Sequence, residues 1–184
     1  ARRIAPPLIG WPLDPYLHIE FRSYHGAELP PRPKAGRVCI HYVFSDSDTP
    51  LMIRNSLGER HIIPPGNGLI SVTGRGLIEA VSAYDIADHC HSLLVAFNLS
   101  AEAELQPPKT IAIDGLVASV ASRKDCLWGE GTEREAPTSA SVCRLTLLRG
   151  ERRVISLSKG DNGVLVLRKG SAEGWSEGDY CRVW

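Results

Sequence analysis

Six histidines and five cysteines are the side chains of this 184-residue protein best suited to chemistry. His89 and His91 flank Cys90. Residues two apart on a strand point the same way, so this H-x-H would present two imidazoles on one face and turn Cys90 to the other. Paired imidazoles are ligands for a transition ion. A hydrogen-bonded structural role for the pair is the favoured reading even so. His18, His25, His41 and His61 are scattered and share no ligand spacing.

Cys39, Cys90, Cys126, Cys143 and Cys181 are odd in number and form no C-x-x-C. This pattern fits reduced thiols in a cytoplasmic protein better than a disulfide framework or a zinc site. A thiol senses redox state only when it is exposed and neighbouring cations lower its pKa. Cys126 follows Arg123-Lys124-Asp125 and is the redox candidate, although an inert thiol is favoured even there. Cys39 and Cys143 fall in strand-like runs and read as small core residues. Gly74-Arg75-Gly76 is not a phosphate loop, because it does not lie between a strand and a helix N-terminus. Its glycines are expected to permit a tight bend where one strand passes close to another.

The elements that must position these residues are strands. Residues 38–44 alternate cleanly: Val38, Ile40, Tyr42 and Phe44 share one parity, Cys39, His41 and Val43 the other. Further strands are expected at residues 16–21, 51–54, 69–73, 77–81, 91–99, 111–113, 116–121, 142–148, 154–157 and 164–167. Turns are expected at Ser56-Leu57-Gly58-Glu59, Pro64-Pro65-Gly66-Asn67-Gly68 and residues 159–163. Residues 29–36 make a proline-rich entry to an edge or a strand start. Residues 82–89 are the stretch expected to make a single helical turn. Residues 129–141 are polar and loop-like. Many short strands at such spacing predict an all-β sandwich or barrel.

Composition narrows function. The chain is 43% hydrophobic and 23% charged, ordinary for a globular protein. Acidic and basic residues balance at 21 each, so no net field recruits nucleic acid or an acidic membrane. No apolar run approaches the ~20 residues that span a bilayer. The first residues are too short in apolar content for a secretion signal, and a cytoplasmic location is expected.

The run from Asn55 to Val81 resembles the pirin family. That family carries D-S-x-G, a P-G-D-like turn and T-A-G-R-G-I-x-H-x-E in this order. The chain keeps Ser56, Gly58, Pro65, Gly66, Gly74, Arg75 and Gly76. Leu13-Asp14-Pro15-Tyr16-Leu17 also resembles a pirin L-D-x-F-L segment. The resemblance implies a bicupin: two double-stranded β-helix (jelly-roll) barrels, at residues 1–107 and 108–184, with Pro107-Pro108 as the hinge. The second barrel is short against the family. Its last strands would be missing or supplied from elsewhere, and a homodimer would be one source.

Pirins resemble other cupins in holding one metal ion in the first barrel. Their ligands come from H-x-H-R-G at a strand start and from H-x-E after the G-R-G turn. Carried over, those positions are Arg32, Lys34, Glu79 and Val81. Neither arginine nor protonated lysine has a lone pair to give, and valine has no donor atom. The expected outcome is a degenerate site, with no metal and no cofactor, in which Arg32 or Lys34 pairs with Glu79. The same comparison puts His91 where pirins often carry a non-ligand histidine. Arg75 would join Arg32 and Lys34 at a cationic pocket mouth suited to a small anionic molecule. The implied function is a metal-free ligand-binding or regulatory module, with a small molecule or a protein as partner. The alternatives are a quercetin 2,3-dioxygenase-type enzyme and acid/base catalysis by Glu79 with Lys34.

Overall fold

A computed structural model describes residues 2–4, 16–26, 28–113, 117–119, 124–128, 142–145, 149–150, 163–172, 174–176 and 179–183. Ten strands build two sheets. The larger joins β1 (Arg2–Ile4), β2 (Tyr16–Tyr24), β4 (Arg37–Val43), β7 (Gly68–Val72), β9 (Cys90–Asn98) and β10 (Lys109–Ile113) in the order β1-β2-β9-β4-β7-β10. The smaller joins β3 (Arg32–Lys34), β5 (Leu51–Asn55), β6 (Arg60–Ile63) and β8 (Leu77–Ala83) in the order β3-β8-β5-β6. Every pairing is antiparallel.

Alternation sorts the side chains of the larger sheet onto two faces. Val43, Leu69, Tyr24 and Cys90 pack with Leu51, Ile53, Ile63 and Val81 of the smaller sheet. This face is the inside of the barrel. Val38, Ile40, Ile70, Val72, Val95, Phe97 and Ile113 form a second cluster on the opposite face. β4 is therefore buried on both sides, which is why residues 38–43 read as a nearly continuous apolar run.

The barrel's open edge is closed by polar contacts. β10 borders the larger sheet and β6 the smaller. Thr110 Oγ1 on β10 donates to Glu59 Oε2 at 2.8 Å and lies 3.1 Å from His61 Nε2. Asn55 Nδ2 donates to the same carboxylate oxygen at 2.7 Å. Hydrogen bonds from Asn55, Thr110 and His61 hold the Glu59 carboxyl below its usual range. Thr110→Val should lower stability by about 1 kcal/mol. A depressed carboxyl contributes above its unfolded pKa and loses that contribution as pH falls. The difference between wild type and variant, read from urea midpoints, should therefore shrink in acid.

Two stretches fold differently from the sequence reading. Pro107-Pro108 does not part the strands of the larger sheet: β10 follows it and pairs with β7. Residues 82–89 form no helix; β8 runs to Ala83, and bends follow with one hydrogen-bonded turn, Asp88 N donating to Asp85 O at 3.3 Å. A helix occurs instead at α1 (Ala101–Glu104), where the Ser100 side chain accepts from Ala103 N.

Beyond Ile113, β11 (Val117–Ser119), β12 (Lys124–Trp128) and β13 (Val142–Leu145) form one antiparallel sheet. β14 (Gly163–Val166) and β15 (Tyr180–Val183) form a ribbon. The stretch after β14 touches the first barrel. Arg168 Nη2 donates to Asp46 at 2.6 Å, and its guanidinium sits 3.6 Å over the Phe44 ring. Lys169 also pairs with Asp46. Partial burial would raise the Asp46 carboxyl; Lys169 and Arg168 outweigh it and hold it at about 2. The strand expected at residues 154–157, the loop at 129–141 and most of the turn at 159–163 lie outside the described residues.

Candidate functional site

β3 and β8 lie side by side, with Arg32 opposite Glu79 and Lys34 opposite Leu77. Alternation turns Glu79 inward, where its side chain is fully buried. Lys34 reaches diagonally to Glu79 Oε2 and forms an ion pair with it. Arg32, directly opposite, stays exposed.

Two further residues complete the cluster. Ser71 on β7 donates to Glu79 Oε1 at 2.5 Å. His41 on β4 places Nε2 3.5 Å from Glu79 Oε2 and 3.4 Å from Lys34 Nζ. Burial would raise the Glu79 carboxyl; the contacts with His41 and with the Lys34 cation outweigh it and hold the carboxyl well below the usual range. Burial also pushes His41 down, and the Lys34 cation adds to that effect. The imidazole is therefore neutral at pH 7, and the positive charge facing Glu79 belongs to Lys34.

The inner face of β2 adds a polar wall. His18, Glu20, Arg22 and Tyr24 point inward, opposite Ala96, Leu94, Ser92 and Cys90 of β9. Arg22 Nε donates to Glu20 Oε2 at 2.6 Å, and Nη1 donates to the Tyr24 hydroxyl at 2.9 Å. The Lys34, Glu20 and Arg22 side chains keep 13%, 12% and 14% of their surface exposed, so solvent reaches this wall.

The remaining sequence candidates lie elsewhere. Val81 is buried among apolar neighbours of the inter-sheet core. Arg75 is exposed in the turn between β7 and β8, its backbone N–H donating to Gln106 O at 3.0 Å. Cys39 and Cys90 are buried, and burial raises both thiols, Cys90 to about 11. Neither has the lowered pKa of a redox sensor. The backbone register sets Cys126 opposite Cys143, and both side chains lie outside the described ones. His89 and His91 share the outer face of the larger sheet, opposite to the face that holds His41.

A cupin-type metal was expected to have lost its ligands, and the residues at these positions do not fit such an ion. Glu79 and His41 are two donors, and the Lys34 ammonium already lies within reach of both. No three histidine, cysteine, aspartate or glutamate donors converge among the described residues. Sequence reasoning missed His41 and Ser71. Their signal was a single polar residue at an inward position of an otherwise apolar strand.

No family model matches the chain, and no curated protein matches it either. Solved structures do. Bacterial pirin YhhW from Escherichia coli, in complex with nickel(II), aligns at TM-score 0.65 and 13% identity, covering 89% of this chain and 64% of that one. The protein YhaK from Escherichia coli aligns at TM-score 0.66 and 13% identity, over 91% of this chain and 75% of that one. Quercetin 2,3-dioxygenase from Acinetobacter baumannii aligns at TM-score 0.57 and 16% identity, over 66% of this chain and 42% of that one. The chain thus spans less than two thirds of the dioxygenase's and of YhhW's length. At such identities the likeness establishes the fold: an all-β, cupin-type chain. No helix among the described residues is long and apolar enough to cross a membrane.

Proposed function

We propose that this chain is a pirin-like module whose first barrel works without a bound metal and takes up a small anionic molecule. The observation that carries the reading is Lys34 Nζ, placed within reach of both Glu79 Oε2 and His41 Nε2. A cation tethered to the chain occupies the polar centre of the barrel and neutralises its carboxylate. An ammonium donates three hydrogen bonds, and Glu79 and His41 account for two of them. A ligand carboxylate or phosphate would take the third, from the solvent side where Lys34 and Arg22 are partly exposed. Arg32 and Arg75, both exposed, add positive charge at the barrel's rim in this reading.

The competing reading is a dioxygenase of the quercetinase type, supported by the structural likeness to the Acinetobacter enzyme. That chemistry needs open positions on a redox-capable ion. The two readings separate in one set of measurements on purified protein. The metal-free reading expects no iron or manganese held through Glu79, no flavonol turnover, and saturable binding of a small carboxylate or phosphate by calorimetry. Stoichiometric iron or manganese that is released by Glu79→Gln, together with flavonol turnover, would reverse the assignment.

A further inference from the structure

Three imidazoles stand together on the outer face of the larger sheet, apart from the barrel interior. The β2–β9 ladder pairs Ser23 with His91 and Tyr24 with Cys90. One step further along the same register, His25 falls opposite His89. His89 and His91 are two apart on one strand face, and His25 is the cross-strand neighbour of His89. The rings confirm this placement. His25 and His89 stack with centroids 4.3 Å apart, and His89 and His91 lie nearly parallel at 6.1 Å. His25 and His89 are exposed and His91 is half-buried.

We propose that His25, His89 and His91 form a surface site for a borderline divalent transition ion such as zinc, nickel or copper. The donor chemistry fits. Three neutral imidazoles are a set that zinc accepts, and they leave a fourth position for water or an anion. The spacing also fits. Two imidazoles bound to one tetrahedral ion at ~2.0–2.1 Å have ring centres roughly 5 Å apart. The two observed separations bracket that value. The rings now lie as parallel plates, so their lone pairs do not meet at one point. Rotation about side-chain bonds would bring them together, and the exposed side chains of His25 and His89 are not packed against it.

The surroundings favour a cation. Asp88 precedes His89 in sequence, and Asp48 N donates to His89 O at 3.1 Å. Both aspartates are exposed. Arg168 and Lys169, which meet the first barrel at Phe44 and Asp46, are already paired with Asp46. Only the H-x-H was visible in the sequence. His25 lies 64 positions before His89, and only the strand pairing brings it into the set.

The test is calorimetric titration of the full chain with zinc, then with nickel. The expected result is one ion per chain. His89→Ala and His91→Ala should each weaken binding by about tenfold or more, and His25→Ala by a smaller factor. Binding should weaken from roughly pH 7.5 to 5.5, because a ligating imidazole must be neutral. Cobalt bound in place of zinc should show the intense visible bands of a four-coordinate ion. If His91→Ala fails to fold, His25→Ala and His89→Ala, both at exposed positions, decide the matter. The absence of saturable binding, or binding that survives the loss of His25 and His89 together, would overturn the proposal. Glu79→Gln should leave zinc binding unchanged, so this test and that of the metal-free barrel fail independently.

Discussion

Lys34→Met should lower the stability of the first barrel by about 3–5 kcal/mol, the cost of leaving a buried charge without its partner. The Glu79 side chain is fully buried, so its carboxylate has no water to turn to. Ser71 supplies one hydrogen bond, to Oε1. His41, which burial pushes down, is a weaker partner than the Lys34 cation. The pH dependence should also flatten. In the wild type the Glu79 carboxyl lies below its unfolded value, so it stabilises the fold above that value and the contribution is lost as pH falls. Without Lys34, one of the two groups that hold the Glu79 carboxyl down is gone, and burial draws it back towards its unfolded value. The variant then loses less stability than the wild type as pH falls and the group protonates. Lys34→Met with Glu79→Leu should recover most of the loss, because exchanging a buried pair for apolar side chains is often close to neutral. Glu79→Gln alone should cost less than Lys34→Met, since Lys34 keeps 13% of its side chain exposed and can turn towards solvent. Urea unfolding at several pH values reads all of this. A loss under about 1 kcal/mol with an unchanged pH slope would mean that Lys34 is not what keeps Glu79 ionised.

Alternation made the strands legible. Residues 38–44 showed their parity and residues 91–99 read as a strand, and the chain pairs them as β4 and β9. Alternation also put Arg32, Lys34 and Glu79 on one side. It could not say which cation would pair, because Arg32 stands directly opposite Glu79 and yet lies at the exposed end of β3. His41 and Ser71 were illegible for a different reason. Each is one polar residue in an apolar run, a pattern that fits an isolated core polar group as well as it fits a cluster. Only the ladders β4–β7 and β3–β8, folded against each other, bring both to Glu79. Two prolines mark a break in hydrogen bonding, not a change of sheet, as the stretch at Pro107-Pro108 illustrates. The chain resumes pairing at Lys109, in the sheet it has just left.

Gly74→Ala should be the most damaging single-methyl change in the described part of the barrel, and it tests how the ion pair is held in register. Gly74 has φ +45°, a region where L side chains are strained. A Cβ there would lie 2.1 Å from Gln106 O and 3.1 Å from Gln106 C, both backbone atoms that cannot rotate aside. The same carbonyl accepts from Arg75 N at 3.0 Å, so moving it also loses a hydrogen bond. Backbone strain costs about 1–2 kcal/mol and forced overpacking about 1–3 kcal/mol, and together they predict a loss of roughly 2–5 kcal/mol. Gly58→Ala is the control. Gly58 has φ +81° and open space around the added methyl, so it should show the strain alone, about 1–2 kcal/mol. The damage at Gly74 should also reach the polar cluster. Gly74 O accepts from Gly36 N at 2.9 Å, which fixes the turn between β3 and β4 against the turn between β7 and β8. Lys34 enters that first turn, and Glu79 lies five residues beyond Gly74 on β8. A shift between the turns would pull the ammonium from its carboxylate. Gly74→Ala should then carry part of the Lys34→Met signature, a weaker loss of stability in acid, whereas Gly58→Ala should keep the wild-type pH slope. Equal losses at the two glycines would show that the close approach of Gln106 contributes nothing, and that conformational strain alone sets the cost.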